Sequence, residues 1–304
     1  IAQALINAGY PTNNLSRNMT GDRNSLEESS EAKAIDLVMI SSRLFKAVPL
    51  SIVLRAISTD EKIYGSFNID NMLALIRNQD LFRWIYADEQ QTDILVQARL
   101  QIEARLICEN RFGSAKREAD ALCCLILAAT RAGSESNDET SYIADLVHAA
   151  GPDGPEGERY SESYASIARA LTKLRELTGM PNARLMLQES VLRRHYLRTQ
   201  KSIDQSQKIE LLDEAVTVVD EALSRINDNG NNGIIGSLKT IDNLWNERAA
   251  TYGFVDTDKV QNGQNDVAYA AYKAAHEAAM LAKARRDSSF SIDVSLWIPI
   301  GILR

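Results

Sequence analysis

Helical periodicity runs through nearly the whole chain and is interrupted once, between Asp80 and Leu106. That stretch reads Leu-Phe-Arg-Trp-Ile-Tyr from Leu81 to Tyr86, then a polar linker over Ala87–Asp93, then Ile94, Leu95 and Val96. Aromatic and β-branched side chains suit a pleated, half-buried surface. Two short strands are therefore expected, joined by a turn longer than a tight hairpin. Phe82, Trp84 and Tyr86 would share one strand face, and Leu81, Arg83 and Ile85 the other. Helical spacing returns over Gln97–Asn110. The interruption marks where the architecture of an otherwise helical chain changes.

Before it, a short helix is expected over Ala2–Ala8, closed by Gly9 and a Tyr10-Pro11 turn. Ser25 with Glu28 has the spacing of a capping box. The next helix carries Ile35, Val38, Met39, Ser42 and Phe45 on one face and is broken at Val48-Pro49. Leu50, Val53, Leu54 and Ile57 mark another short helix, and Ile69, Met72, Leu73 and Ile76 a third.

Beyond residue 112 the pattern is helical throughout. Ser114–Ala132 is apolar nearly all round, with Ala119, Leu122, Cys123, Ile126 and Ala129 as its main stripe. Such a helix lies buried between neighbours, and Gly133 suits its end. The next helix, capped at Ser136–Glu139, runs to Ala150. Gly151–Gly157 reads as a loop, a domain boundary or an irregular insert. Helices follow over Ser161–Thr178, Pro181–Gln200, Ser206–Asn227, Ser237–Tyr252 and Asn265–Ser288, with breaks that include Asn227–Gly233 and Gly253–Lys259.

Two of these helices say how the array packs. Leu212, Ala215, Val219, Ala222 and Ile226 form one stripe, and Leu211, Val216, Val218 and Leu223 a second, so that helix meets neighbours on two sides. Ala268, Ala271, Ala275, Ala278, Ala279 and Ala282 recur at three- and four-residue spacing, which permits close approach of another helix. Consecutive helices joined by short turns fold back as hairpins. Trp245, Ala249 and Tyr252, followed by the alanine-rich helix with Tyr269 and Tyr272, resemble the two helices of a tetratricopeptide (TPR) repeat. No strict period of about 34 residues accompanies them. The expected fold is all-α, a TPR-like α-solenoid of helical hairpins over residues 113–304, preceded by a small domain over residues 1–112 that carries the short β-hairpin.

Charge narrows the partners. The chain has 304 residues and a net charge of −7. Phosphate binding needs a basic field, so nucleic acid and anionic membranes are disfavoured. No apolar run reaches the roughly 20 residues that span a bilayer. Cys108, Cys123 and Cys124 make an odd, partly adjacent set that suits a reducing cytoplasm better than a disulfide framework. Asn14 and Asn18 sit in glycosylation-type triplets that are read as chance. The chain begins at Ile1 without Met and closes on apolar Leu296-Trp-Ile-Pro-Ile-Gly-Ile-Leu-Arg304, which reads as a piece of a longer polypeptide.

Catalytic chemistry finds no footing. His148, His195 and His276 have no second ligand at metal spacing. Cys123-Cys124 lies in an apolar helix, as buried, inert thiols do. Gly230, Gly233 and Gly236 follow a helix rather than a strand, so they read as a loop and not a phosphate cradle. Asp256-Thr-Asp258 lacks the glycine and the terminal glutamate of a calcium loop. No catalytic residue, metal or cofactor is assigned to this chain. Two patches are candidates for holding a partner. Arg193, Arg194, Arg198 and Lys201 cluster on one helical face beside Tyr196, where the bland alternative is a solvated face. Tyr269, Tyr272 and His276 recur at helical spacing, where the alternative is core packing.

Residues 32–112 resemble the winged-helix region that follows the nucleotide-binding domain of STAND-type P-loop ATPases. The resemblance rests on Val48-Pro49-Leu50 opening a short helix, on Leu81–Tyr86 after Asp80, and on Val96-Gln-Ala-Arg-Leu100 entering a helix. Such proteins place helical repeats downstream, and many bacterial members resemble anti-phage defence sensors. The resemblance implies a non-enzymatic sensor or scaffold region that recognises a protein ligand, such as a phage protein, and couples it to oligomerisation. The phosphate-loop pattern Gly-x-x-x-x-Gly-Lys-Ser/Thr is absent from these residues, so ATP and magnesium would belong to an upstream domain. Alternatives are a free-standing TPR-like adaptor that binds proteins or itself, a fragment of a transcriptional regulator that uses its winged helix, and an all-α enzyme with scattered carboxylates.

Overall fold

A computed structural model describes residues 30–58, 81–86, 94–130, 137–179, 181–200, 202–227, 234 and 236–285. The expected elements at Ala2–Ala8, Ser25–Glu28 and Ile69–Ile76, the linker Ala87–Asp93, and Gly133, Lys201 and the apolar end fall outside these residues. The structure is mostly helical, with one small antiparallel sheet. The chain divides into two compact units, Ile1–Ala129 and Thr130–Arg304.

The first unit contains α1 (Ser30–Arg43), β1 (Val48–Pro49), α2 (Leu50–Ser58), β2 (Phe82–Tyr86), β3 (Ile94–Ala98), α3 (Gln101–Phe112) and α4 (Ala115–Ala128). The two expected strands pair antiparallel, with Phe82 opposite Ala98, Trp84 opposite Val96 and Tyr86 opposite Ile94. β3 therefore extends through Gln97 and Ala98, where helical spacing was expected. Val48-Pro49 does more than break a helix. It adds a third strand to the free side of β3, giving the order β1-β3-β2. Two residues are too few to show a period, and a proline without an amide proton suits an edge strand. Phe82 turns into the core, whereas Tyr86 at the end of β2 is exposed.

Local hydrogen bonds fix how the helices meet this sheet. Ser42 Oγ accepts from the Ala98 amide at 2.7 Å, and Gln101 Nε2 donates to the Arg43 carbonyl at 2.9 Å. α1 ends in a Schellman motif, in which Lys46 N donates to Ser41 O and Phe45 N to Ser42 O. Phe45 holds the left-handed position at φ 61° and is 52% exposed, so it leaves the buried face expected for it. Arg111 grips Asp36 with a guanidinium fork, pinning α3 to α1. α4 packs on α1 and α2, and Arg55 Nε donates to its last carbonyl, Ala128 O, at 2.7 Å. The helix expected to open the downstream array thus belongs to the first unit. The division falls after Ala129 rather than after residue 112.

The second unit contains α5 (Asn137–Ala150), α6 (Tyr164–Thr178), α7 (Ala183–Thr199), α8 (Gln205–Asn227), α9 (Leu238–Gln261) and α10 (Asn265–Arg285). Each helix from α6 onward packs on the next, and α7 also meets α5 and α9. Gly151–Gly157 is neither a boundary nor a loose insert. It folds tightly over the end of α5, with Glu156 N donating to Ala149 O and Tyr164 Oη to Gly157 O. A side chain on Gly154 would meet His148 O at 2.1 Å, so this turn needs glycine. α9 runs unbroken through Gly253–Lys259, where a break was expected.

Candidate partner-binding surface

The basic cluster is interior. α7 starts where Asn182 caps it, its side chain accepting from the amides of Arg184 and Leu185. With helices on several sides, α7 has little surface left for solvent. Arg193 is 1% and Arg194 8% exposed, and both are spent on internal carboxylates. Arg193 donates from Nε to Glu214 at 2.8 Å, from Nη1 to Glu189 at 2.9 Å and from Nη2 to Thr172 at 2.7 Å. Arg194 forks onto both oxygens of Glu247 at 2.9 and 2.7 Å. Thr251 and Ser190 also donate to Glu247, at 3.2 and 3.3 Å. Burial works against the charge of Arg194, yet Glu247 outweighs it and holds the guanidinium above its usual pKa. These two arginines knit α6, α7, α8 and α9 together and offer nothing to a partner.

The rest of that patch is small. Arg198 is exposed but turned back onto His195, with Nη2 3.0 Å from Nδ1. A guanidinium only donates, so Nδ1 accepts and the ring proton sits on Nε2. Burial, helped by Arg194 and Arg198, pushes the His195 pKa down to about 3. Tyr196 is half-buried. Among the described residues, the expected basic face is thus reduced to Arg198 beside Tyr196.

The aromatic set behaves in the opposite way. All six alanines of the α10 stripe are buried, and Ala275, Ala278 and Ala279 join the same core as Ala249 of α9. Tyr269, 60% exposed, and His276 stand clear of this core, with Tyr272 half-buried between them. The three rings form a ladder. Tyr269 and Tyr272 lie 6.3 Å apart, Tyr272 and His276 6.0 Å, and both pairs are tilted by 21°. The Lys273 ammonium sits 4.8 Å over the Tyr269 ring.

A rigid base supports the ladder. Tyr272 packs, as do Trp245 and Tyr252 of α9, against the alanine core of Ala249, Ala275, Ala278 and Ala279. The Arg248 guanidinium lies 4.9 Å from the Tyr252 ring and 2.6 Å from Asp220, and Tyr252 Oη donates to Asp220 at 2.7 Å. Burial and that bond push the Tyr252 phenol up to about 12. Stacked, pre-ordered rings present contact area at low entropic cost, which is what an interface needs. Sequence reasoning missed Met280, 51% exposed, together with exposed Val267 and Leu281 of the same helix. The alanine spacing could have revealed them, because a helix that buries one stripe exposes the opposite one.

Other sites carry little. The cleft between α6 and α7, lined by Leu171, Leu174, Arg175, Asn182, Met186 and Glu189 among others, has a cavity volume of about 10 Å³. That is room for about one water molecule. Asp256-Thr-Asp258 lies inside α9, and Asp258 is bound by Lys208 at 2.6 Å. Among the described residues no group of three or more His, Cys, Asp or Glu is placed to hold a metal, and no helix is long and apolar enough to cross a membrane. Cys124 is exposed, contrary to the buried pair expected. No protein-family model, curated protein or solved structure matches the chain.

Proposed function

We propose that the chain is a non-enzymatic sensor or scaffold region of a larger STAND-type ATPase, with a winged-helix-like first unit and a TPR-like second unit that holds a protein ligand. The observation that carries the reading is the sheet order β1-β3-β2, with a very short first strand set between two helices. It extends the resemblance beyond the two strands legible in the sequence. The second unit supports it with successive packed helices and an exposed, stacked aromatic ladder on α10. Under this reading ATP and magnesium bind an upstream domain, and a phage protein is one class of ligand. The genomic reading frame around the chain tests it. A phosphate loop encoded upstream is expected, and an ATPase with that lysine replaced should lose nucleotide binding. A frame without the loop sinks this reading in favour of a free-standing adaptor, which the compactness of the second unit would equally serve. The regulator reading requires salt-dependent binding to duplex DNA, which the net charge of −7 opposes.

A further inference from the structure

We infer that the exposed face of α10 is a self-association surface, and that its occupant is the same helix of a second copy, laid antiparallel. At 100° per residue, Asp266, Tyr269, Lys273, Glu277, Met280 and Lys283 all fall within about 80° of the line through Lys273. The buried alanines lie on the opposite side. The outward stripe is exposed along its length, and its order of charges is self-complementary. A two-fold axis level with Ala275 sets Lys273 against Glu277 of the second copy, and Glu277 against its Lys273. The same axis brings Tyr269 close to Met280 on either side of this central pair. A parallel pairing would instead set Lys273 on Lys273 and Asp266 on Asp266. Opposed like charges are a penalty that selects against that register. Isologous contacts of this kind close as a dimer and do not grow into filaments. One helix face is a small interface, so the dimer is expected to be weak and concentration-dependent.

The inference names a partner for the surface described above. It stands whether or not the chain belongs to an ATPase, so its failure and the failure of that reading are separable. Sedimentation velocity of the 304-residue chain over a concentration series tests it, with far-UV circular dichroism to show that each variant keeps its helices. The unaltered chain should show a reversible monomer–dimer equilibrium. Lys273→Glu sets carboxylates against each other at both central contacts, and Glu277→Lys does the same with ammonium groups. Each alone should weaken the dimer about tenfold or more. Mixing the two single variants should produce a heterodimer, and the double variant should dimerise as the unaltered chain does. A chain that stays monomeric up to its solubility limit overturns the inference. So does a dimer insensitive to the single changes, or a double variant as weak as the singles. The first result would leave the face to a different protein or to another segment of this chain, and the other two would place the dimer contact elsewhere.

Discussion

At the scale of single residues, the second unit is held by charges that have no water to fall back on. Leaving either Arg194 or Glu247 buried without its partner should cost about 3–5 kcal/mol. Glu247→Leu alone is therefore expected to lower the urea midpoint sharply. Arg194→Met with Glu247→Leu should lose much less than the two single changes together, and an additive result would show that the ion pair is not the unit of stability. His195 adds a pH dependence. Its folded pKa of about 3 lies below the roughly 6.5 of a free histidine, so the neutral ring is bound more weakly to protons when folded. The associated stability is whole above about pH 6.5 and is lost as pH falls toward 3. At pH 5 the loss should be about 2 kcal/mol. Denaturant unfolding at pH 7 and pH 5 checks this, and His195→Asn should flatten the difference. An unchanged slope in that variant would place the pH dependence elsewhere.

Among the elements, α9 shows why a glycine is a weak stop signal. Gly253 has ordinary helical backbone, and a methyl group there would touch nothing within 4 Å. Its last turns are tied to α8 by the bridge from Lys208 to the buried Asp258. Burial raises the Asp256 carboxyl above the usual range. For Asp258 burial acts the same way, but hydrogen bonds from Lys208 and Gln205 outweigh it and lower that carboxyl. Gly253→Ala should raise stability by about 0.5–1 kcal/mol, since it removes only the entropic cost of glycine in a helix. Thermal unfolding reads this directly, and a lower midpoint would mean that α9 is broken there in solution. Leu81–Tyr86 and Ile94–Val96 were legible as strands because alternation and aromatic content speak within five or six residues. β1 was not, because Val48-Pro49 is a strand only by virtue of the edge it pairs with.

For the whole molecule, the division between Ala129 and Thr130 follows packing and not pattern. α4 has a continuous apolar stripe that fits either unit, and its contacts with α1 and α2 decide which one it joins. Residues 130–304 expressed alone should keep a helical far-UV spectrum and unfold in one cooperative transition. A noncooperative melt would show that the second unit depends on the first. A piece begun at residue 113 should gain no stability from α4, because its partners would be missing.

The sequence alone determined the helical character of this protein, the two strands and the buried alanine stripe of α10. Each of these is a periodic signal, and period depends only on neighbours along the chain. It also supplied both candidate patches but not their fates. Arg193 and Arg194 looked like a solvated face, and Tyr269 and His276 looked like core. A basic side chain's exposure is set by how many helices surround its own, and an aromatic ring's by whether a further helix arrives to cover it. Those are facts of tertiary packing. Only the fold turned the arginines inward onto Glu189, Glu214 and Glu247 and left the Tyr269–His276 ladder standing in solvent.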